Sequence, residues 1–267
     1  MQRHLSTDIH ITDADQKILD DHFFVIALWG DILAWTEWFI TRCREKNVDV
    51  SKTLTLYTTM IHAKELLRSA NNFIDATQEL QKQFDTTFVD QLRLCDLYED
   101  NYFWKTKLGH WVYHGKQEQN SWFINDAITV TKGKIINFIQ ENNVDALCFI
   151  PSSITREIQL MNELKKWLAV LSLPEIQLEK KPSNGVLVAQ KTLHQYTQRR
   201  VNAEKTLEVV GSPDPVNTLL IIDDFVRSWA TINVAADKIR RQWLAKNIYC
   251  ISLLGNTDFT QKISNEV

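Results

Sequence analysis

The sequence predicts an α/β protein in which a parallel-type sheet is flanked by helices and preceded by an all-helical N-terminal region. Beyond about residue 107, short apolar runs alternate with amphipathic helical stretches, and strands that alternate with helices pair in parallel. Before that point apolar residues recur at helical spacing and no strand ladder is visible. Only seven glycines occur, which suits a helix-rich chain and makes glycine-rich phosphate loops scarce. The expected division is a helical region over 1–107 and an α/β domain over 108–267.

In the first region Phe24, Ala27, Leu28, Asp31, Trp35, Trp38 and Phe39 follow one helical period, with Asp13 or Asp15 as the expected cap. A second helix is expected from Ser51 through Leu56, Met60, Ala63, Leu66 and Leu67 toward Phe73, and a third from Phe88 through Leu92, Cys95 and Leu97 to Tyr102. A further helix covers about 120–140. Residues 145–150 then read as a buried strand ending at Pro151, and 157–171 as a helix with Leu160, Met161, Leu164, Trp167, Leu168 and Leu171 on one face. Further strands are expected at 186–189, 206–210, 218–223 and 247–254. Between the last two lies a helix whose inner stripe is Ile232, Ala235, Ala236, Ile239 and Trp243.

A net charge near −3 does not indicate a purely electrostatic nucleic-acid binder. Cys43, Cys95, Cys148 and Cys250 are far apart with no C-x-x-C pair, which argues for reduced, buried thiols rather than a zinc knuckle. The polar N-terminus lacks a signal-peptide core, and the longest apolar run is too short to span a bilayer, so a soluble cytoplasmic protein is expected. His62, His110, His114 and His194 show no metal-ligand spacing.

The most informative stretch is Leu219-Leu220-Ile221-Ile222-Asp223-Asp224 and the residues after it. It reads as a hydrophobic strand that delivers two adjacent carboxylates into a short loop before a helix. In an α/β sheet ligands bind beyond the carboxyl ends of the strands, and a loop-to-helix turn there offers N–H groups to a phosphate. Paired acids and such a turn point to a ribose phosphate. The plainer reading is an acidic strand end favoured by the dipole of the next helix.

The segment resembles the sugar-phosphate motif of type I phosphoribosyltransferases, in which aliphatics are followed by two acids, a few residues and then Thr-Gly-x-Thr. Here the acids are Asp223 and Asp224 and the closing threonine is Thr231, while Ser228 and Trp229 replace the Thr-Gly pair. The similarity is greatest to the ComF-like branch. Phe149-Ile150-Pro151-Ser152-Ser153-Ile154-Thr155-Arg156 takes the position of that branch's pyrophosphate loop. Gln195-Tyr196-Thr197-Gln198-Arg199-Arg200-Val201-Asn202 takes that of the mobile loop closing over phosphoribosyl pyrophosphate (PRPP), and Tyr113-His114-Gly115-Lys116 also has a counterpart. The match covers about residues 108–257, and the branch's cysteine-rich zinc module is missing.

This resemblance implies that Asp223 and Asp224 hold the ribose hydroxyls, with Mg²⁺ as cofactor, that Arg156, Arg199 and Arg200 meet pyrophosphate oxygens, and that Asp223, Asp224 and Arg199 are the catalytic residues. Ser152, Ser153, Arg227, Ser228, Trp229 and Thr231 complete the expected ligand set. The plainer readings are helix capping by Ser152 and Ser153 and a solvated basic turn at Arg199 and Arg200. Trp229 divides the alternatives, because its indole either fills the space of a phosphate or turns outward at the start of the next helix. Two functions remain open. One is an enzyme or binding protein for PRPP or a nucleotide; the other is a non-catalytic sensing or partner-binding module, such as an effector in a bacterial defence system. A protein partner would use the aromatic N-terminal helices, and a homo-oligomer is compatible with either.

Overall fold

The computed structural model describes residues 11–26, 31–45, 47–66, 68, 72–100, 104–152, 154–181, 196–226 and 229–255. Helix α1 (Asp13–His22) is opened by Thr12, whose hydroxyl oxygen accepts the Asp15 N–H at 3.1 Å; Asp13 and Asp15 lie in the first turn, where the helix dipole favours acids. The helix expected from Phe24 onward is corrected. Phe24-Val25-Ile26 forms strand β1 (Phe24–Ile26), antiparallel to β2 (Ile32–Ala34), because aromatic and β-branched residues side by side suit an extended backbone. Helix α2 (Trp35–Glu45) and helix α3 (Val50–Leu66) follow.

The aromatic residues of this region face one another. Trp35 stacks on Phe39 with ring centroids 4.4 Å apart, and Phe23 and Tyr57 meet Trp35 at 4.8 and 5.0 Å. With Leu19, Leu54 and Ile61 they make a separate hydrophobic core. The described residues within 1–67 and 99–107 form one compact unit, and those within 68–98 and 108–255 form the other.

The second unit opens with β3 (Ile74–Asp75), α4 (Thr77–Gln83) and β4 (Gln91–Leu97). The third helix expected over the last of these is corrected to a strand of the main sheet. Leu92 and Leu94 alternate with Gln91, Arg93 and Cys95, and the two leucines are fully buried. The short antiparallel pair β5 (Glu99–Asp100) and β6 (Trp104–Lys105) belongs to the first unit.

Next come α5 (Lys107–Gln117), α6 (Ser121–Glu141), β7 (Ala146–Phe149) and α7 (Leu160–Leu168). Asn120 caps α6 through its side-chain oxygen, which accepts the Trp122 N–H at 2.9 Å. Helix α7 is shorter than the sequence suggests, because its last turn tightens into a 3₁₀ segment over Ala169–Leu171. The expected strand at 186–189 lies outside the described residues. After β8 (Leu178–Lys180) come α8 (Tyr196–Thr206), β9 (Leu207–Val209), β10 (Val216–Val226), α9 (Ala230–Arg241) and β11 (Ala245–Gly255).

The sheet has the order β3-β4-β11-β10-β7; β4, β11, β10 and β7 are parallel and only β3 runs against them. The architecture is therefore a mostly parallel α/β sheet flanked by helices. On one face Ile124, Ala127, Ile128, Ile135 and Phe138 of α6 and Leu160, Leu164 and Leu168 of α7 pack with Leu220, Ile222 and Ile251 of the central strands. Helices α8 and α9 pack together, and α9 buries Ile232, Ala235, Ala236 and Ile239. Trp243 does not join that stripe. The helix ends before it, and Trp243 sits in a left-handed conformation with 85 % of its surface exposed. All four cysteines are free and buried; burial pushes the Cys95 thiol up to about 12 and raises Cys148 and Cys250 as well.

Helices α5 and α6 approach closely at Gly115. A Cβ there would lie 2.8 Å from Ile124 Cγ1 and 3.2 Å from the Ile124 backbone nitrogen. Backbone cannot yield as a side-chain tip can, so Gly115→Ala should displace α5 and cost about 1–3 kcal/mol, the usual range for overpacking. Urea denaturation of the variant measures this, and an unchanged midpoint would refute the close approach.

Candidate functional site

Because four strands run in parallel, the carboxyl ends of β4, β11, β10 and β7 share one edge of the sheet, where ligands of α/β proteins bind. Asp223 and Asp224 are near that end of β10 but are not in a loop. Strand β10 continues to Val226, and Asp223 and Phe225 still pair with Ser252 and Leu254 of β11. Successive residues of a strand leave on opposite faces, so the two side chains start from either side of β10, near enough for their charges to act on each other. The aliphatic run is legible as a strand; its extension past the acids comes from pairing with the equally long β11.

Two lysines act on the acids. Lys116 of α5 donates from Nζ to Asp224 Oδ2 at 2.6 Å, with the two side chains 22 % and 17 % exposed. Lys180, at the end of β8, is close enough for its charge to act on both acids. The chain reaches that point along β7, where the Leu147 N–H donates to the Pro174 carbonyl and the Ile176 N–H to the Leu147 carbonyl, each at 2.9 Å. Burial lowers the Lys180 ammonium from its usual range, while Asp223 and Asp224 pull it back up.

Asp223 is the most perturbed carboxyl of the site. Burial and the neighbouring Asp224 charge push it from 3.8 to about 7, against the opposing pull of Lys180 and Lys116 and of the Asp224 N–H, which donates to Asp223 Oδ1 at 2.8 Å. At neutral pH it is thus divided between an acceptor-only carboxylate and a carboxylic acid that also donates.

The turn between α5 and α6 links these acids to the loop after β7. Gln119, in a left-handed conformation, accepts the Glu157 N–H at 2.7 Å and the Ile158 N–H at 3.3 Å through Oε1, three positions beyond Lys116. Within the loop Ser152 Oγ donates to the Ile154 carbonyl at 2.8 Å and accepts the Ile154 N–H at 3.3 Å. It closes a local turn and caps no helix, because α7 begins only at Leu160. Arg156 is half-buried in the same loop, and Ser153 lies outside the described residues.

The Gln/Arg segment expected as a mobile loop is helical from Tyr196 onward, and Gln195 lies outside the described residues. Arg199 is 7 % exposed on α8, so it is no solvated turn. Arg200 donates from Nε to Glu204 at 2.8 Å on the exposed side and lines a cavity of about 350 Å³ with Gln83, Phe84, Asn233, Asp237 and Arg241. Asp223 and Asp224 do not line that cavity. Arg227 and Ser228 lie outside the described residues, and Thr231 is in the first turn of α9.

Trp229 is 5 % exposed and therefore does not turn outward. It occupies the N-cap of α9 with φ 58° and ψ −12°, and its carbonyl accepts the Asn233 N–H at 3.0 Å. Left-handed backbone is the conformation that glycine adopts freely and a bulky L-residue rarely does. The chain keeps a glycine-type turn here while inserting an indole.

The donor set does not fit a protein-held magnesium ion. One carboxylate is taken by an ammonium and the other is shifted toward its neutral form. Among the described residues no group of three or more His, Cys, Asp or Glu side chains could hold a metal. Lys116 and Lys180 are the site residues that sequence reasoning misses, although Lys116 closes the Tyr113-His114-Gly115-Lys116 segment.

No helix among the described residues is long and apolar enough to cross a membrane. No family model and no curated protein matches the sequence. Solved structures similar to part of the chain include an adenine phosphoribosyltransferase with 14 % identity and a TM-score of 0.36, covering 55 % of this chain and 76 % of that one. A purine phosphoribosyltransferase from Pyrococcus horikoshii has 10 % identity and a TM-score of 0.32, covering 51 % and 85 %. The adenine phosphoribosyltransferase of Leishmania donovani has 11 % identity and a TM-score of 0.32, covering 52 % and 72 %.

Proposed function

We propose that the edge of the sheet at β10 binds a phosphorylated ribose, either PRPP or a nucleotide, in a phosphoribosyltransferase-like protein. The observation that carries this reading is the quartet Asp223, Asp224, Lys116 and Lys180 at the carboxyl end of the central strand. Carboxylates accept from vicinal hydroxyls, ammonium groups donate to phosphate oxygens, and α/β sheets bind ligands at this edge. The order of the proline loop, the Gln/Arg segment and the paired acids along the chain gives the same reading.

In this arrangement the two acids orient the ribose hydroxyls, and Asp223, poised near neutrality, exchanges a proton with one of them without leaving its place. Phosphoribosyl transfer passes through a cation-like sugar, which a carboxylate stabilises and a protonated acid does not. Turnover by this site would therefore require Asp223 ionised, and rise through about pH 7.

A second reading, binding without turnover, is favoured by Trp229. An indole buried where the related motif has glycine removes the close backbone approach that a 5′-phosphate uses. Fold alone does not decide between enzyme and sensor. A partner-only role through the aromatic N-terminal helices gains no support, because Trp35, Phe39 and Tyr57 are the buried core of their own unit.

Titration calorimetry with PRPP and with ribonucleotides tests the proposal. Saturable heat that the Asp223→Asn/Asp224→Asn double variant loses is the expected result; no heat from any of these ligands would sink it. Pyrophosphate release above the background of the double variant then separates enzyme from sensor.

A further inference from the structure

The resemblance implies that the paired acids work with Mg²⁺, yet here Asp224 is paired with an ammonium group of the protein and the charge of a second acts on both acids. Lys116 Nζ is 2.6 Å from Asp224 Oδ2, and Lys180, which pairs with Leu207 from the strand that follows the segment bonded to β7, is near enough for its charge to act on both acids. Neither lysine comes from a flexible tip. Lys116 is on α5, which Gly115 locks against Ile124, and Lys180 ends a strand paired with β9 through Leu207. An ammonium carries three donors, so Lys116 can keep Asp224 and still donate to a ligand oxyanion.

A magnesium ion prefers octahedral oxygen ligands near 2.0–2.1 Å, and an ammonium already seated on a carboxylate competes for the same oxygen. We propose that Lys116 and Lys180 are the resident cations of this site, so that a phosphorylated ribose binds there without a divalent metal. This inference rests on the phosphorylated-ribose reading above and specifies its cofactor requirement. The two lysines supply the positive charge that the ligand's phosphates need, while the ribose hydroxyls go to the acids. Lys116 is the more important, because its place beside Asp224 is fixed by both the helix contact and the ion pair.

Calorimetry with PRPP, in EDTA and in Mg²⁺, measures the requirement directly. Wild-type affinity in EDTA is expected within about threefold of that in Mg²⁺. Lys116→Met should weaken binding in EDTA by about tenfold or more, the usual worth of a charged hydrogen bond, and regain affinity when Mg²⁺ is added. Lys116→Arg, which keeps the charge, should retain EDTA binding and shows that any loss in Lys116→Met is not a folding defect. Binding that needs Mg²⁺ in the wild type and ignores Lys116→Met would overturn the inference.

A second readout needs no organic ligand. Electron paramagnetic resonance of Mn²⁺ should show no binding to the wild type, in which Lys116 holds Asp224. If PRPP gives no heat under either condition the phosphorylated-ribose reading falls, and the Mn²⁺ experiment still decides the lysines. Mn²⁺ bound by the wild type refutes them as resident cations, and a wild type that leaves Mn²⁺ free in solution supports them.

Discussion

The Asp223→Asn variant should melt above the wild type at about pH 8 and together with it near pH 4, with the gap opening between them. The sign follows from the direction in which the carboxyl is displaced. Raised from 3.8 to about 7, it holds its proton in the folded protein after the unfolded chain has lost it. Between those values the folded state binds more protons, so stability falls as pH rises and levels off once Asp223 is ionised in both states. Asparagine removes this slope and keeps an oxygen to accept the Asp224 N–H. A displacement from 3.8 to about 7 corresponds to about 4 kcal/mol at most, and screening by solvent at a side chain that keeps some exposure reduces this to about 2 kcal/mol. For a chain of this size that is a change in Tm of roughly 4–8 °C. Melts across pH 4–9 provide the measurement; parallel wild-type and variant curves would show that the carboxyl is not perturbed. A variant that is more stable yet fails to bind PRPP would mark Asp223 as a residue held for ligand rather than for folding.

The second large effect is expected at Trp229. Replacing a buried indole by alanine typically costs about 3–5 kcal/mol. The left-handed backbone at this residue costs an L-amino acid about 1–2 kcal/mol, which glycine does not incur. Packing outweighs strain, so both Trp229→Gly and Trp229→Ala should be destabilised. Glycine should nevertheless be the better replacement by about 1 kcal/mol, the reverse of the usual order at a helical position. Chemical denaturation of the three proteins tests the order, and alanine equal to or above glycine would contradict the left-handed conformation. Tighter PRPP binding by Trp229→Gly than by Trp229→Ala would show in addition that the backbone here approaches the phosphate.

The acids and their strand are legible because a run of aliphatics followed by two aspartates has few local readings. The extent of β10 is not, since its last residues are held by β11 and pairing leaves no mark on a single strand's sequence. Residues 91–97 show the opposite failure. Leu92, Cys95 and Leu97 fit a helical stripe, yet Leu92 and Leu94 alternate as a strand does, and a seven-residue segment satisfies both periods. The lysines are hidden for a different reason: Lys116 and Asp224 are brought together only by the tertiary fold. At Trp229 the tryptophan itself announces no glycine-type backbone, and the only signal is the glycine that the similar motif has at this position.

The order of the sheet has a consequence for how the protein is made. Strand β11 lies between β4 and β10, so the strand nearest the middle of the sheet comes from the last described segment of the chain. Gln91 must wait for Tyr249 before it has a neighbour on that side. Until then β4 and β10 each carry an open row of backbone donors and acceptors, the kind of edge that pairs with other chains. Such distant pairings close slowly, because the loop entropy is lost before the contacts form. During synthesis the acid-bearing strand is thus supported on one flank only, by β7, until β11 has been made and can pair with it.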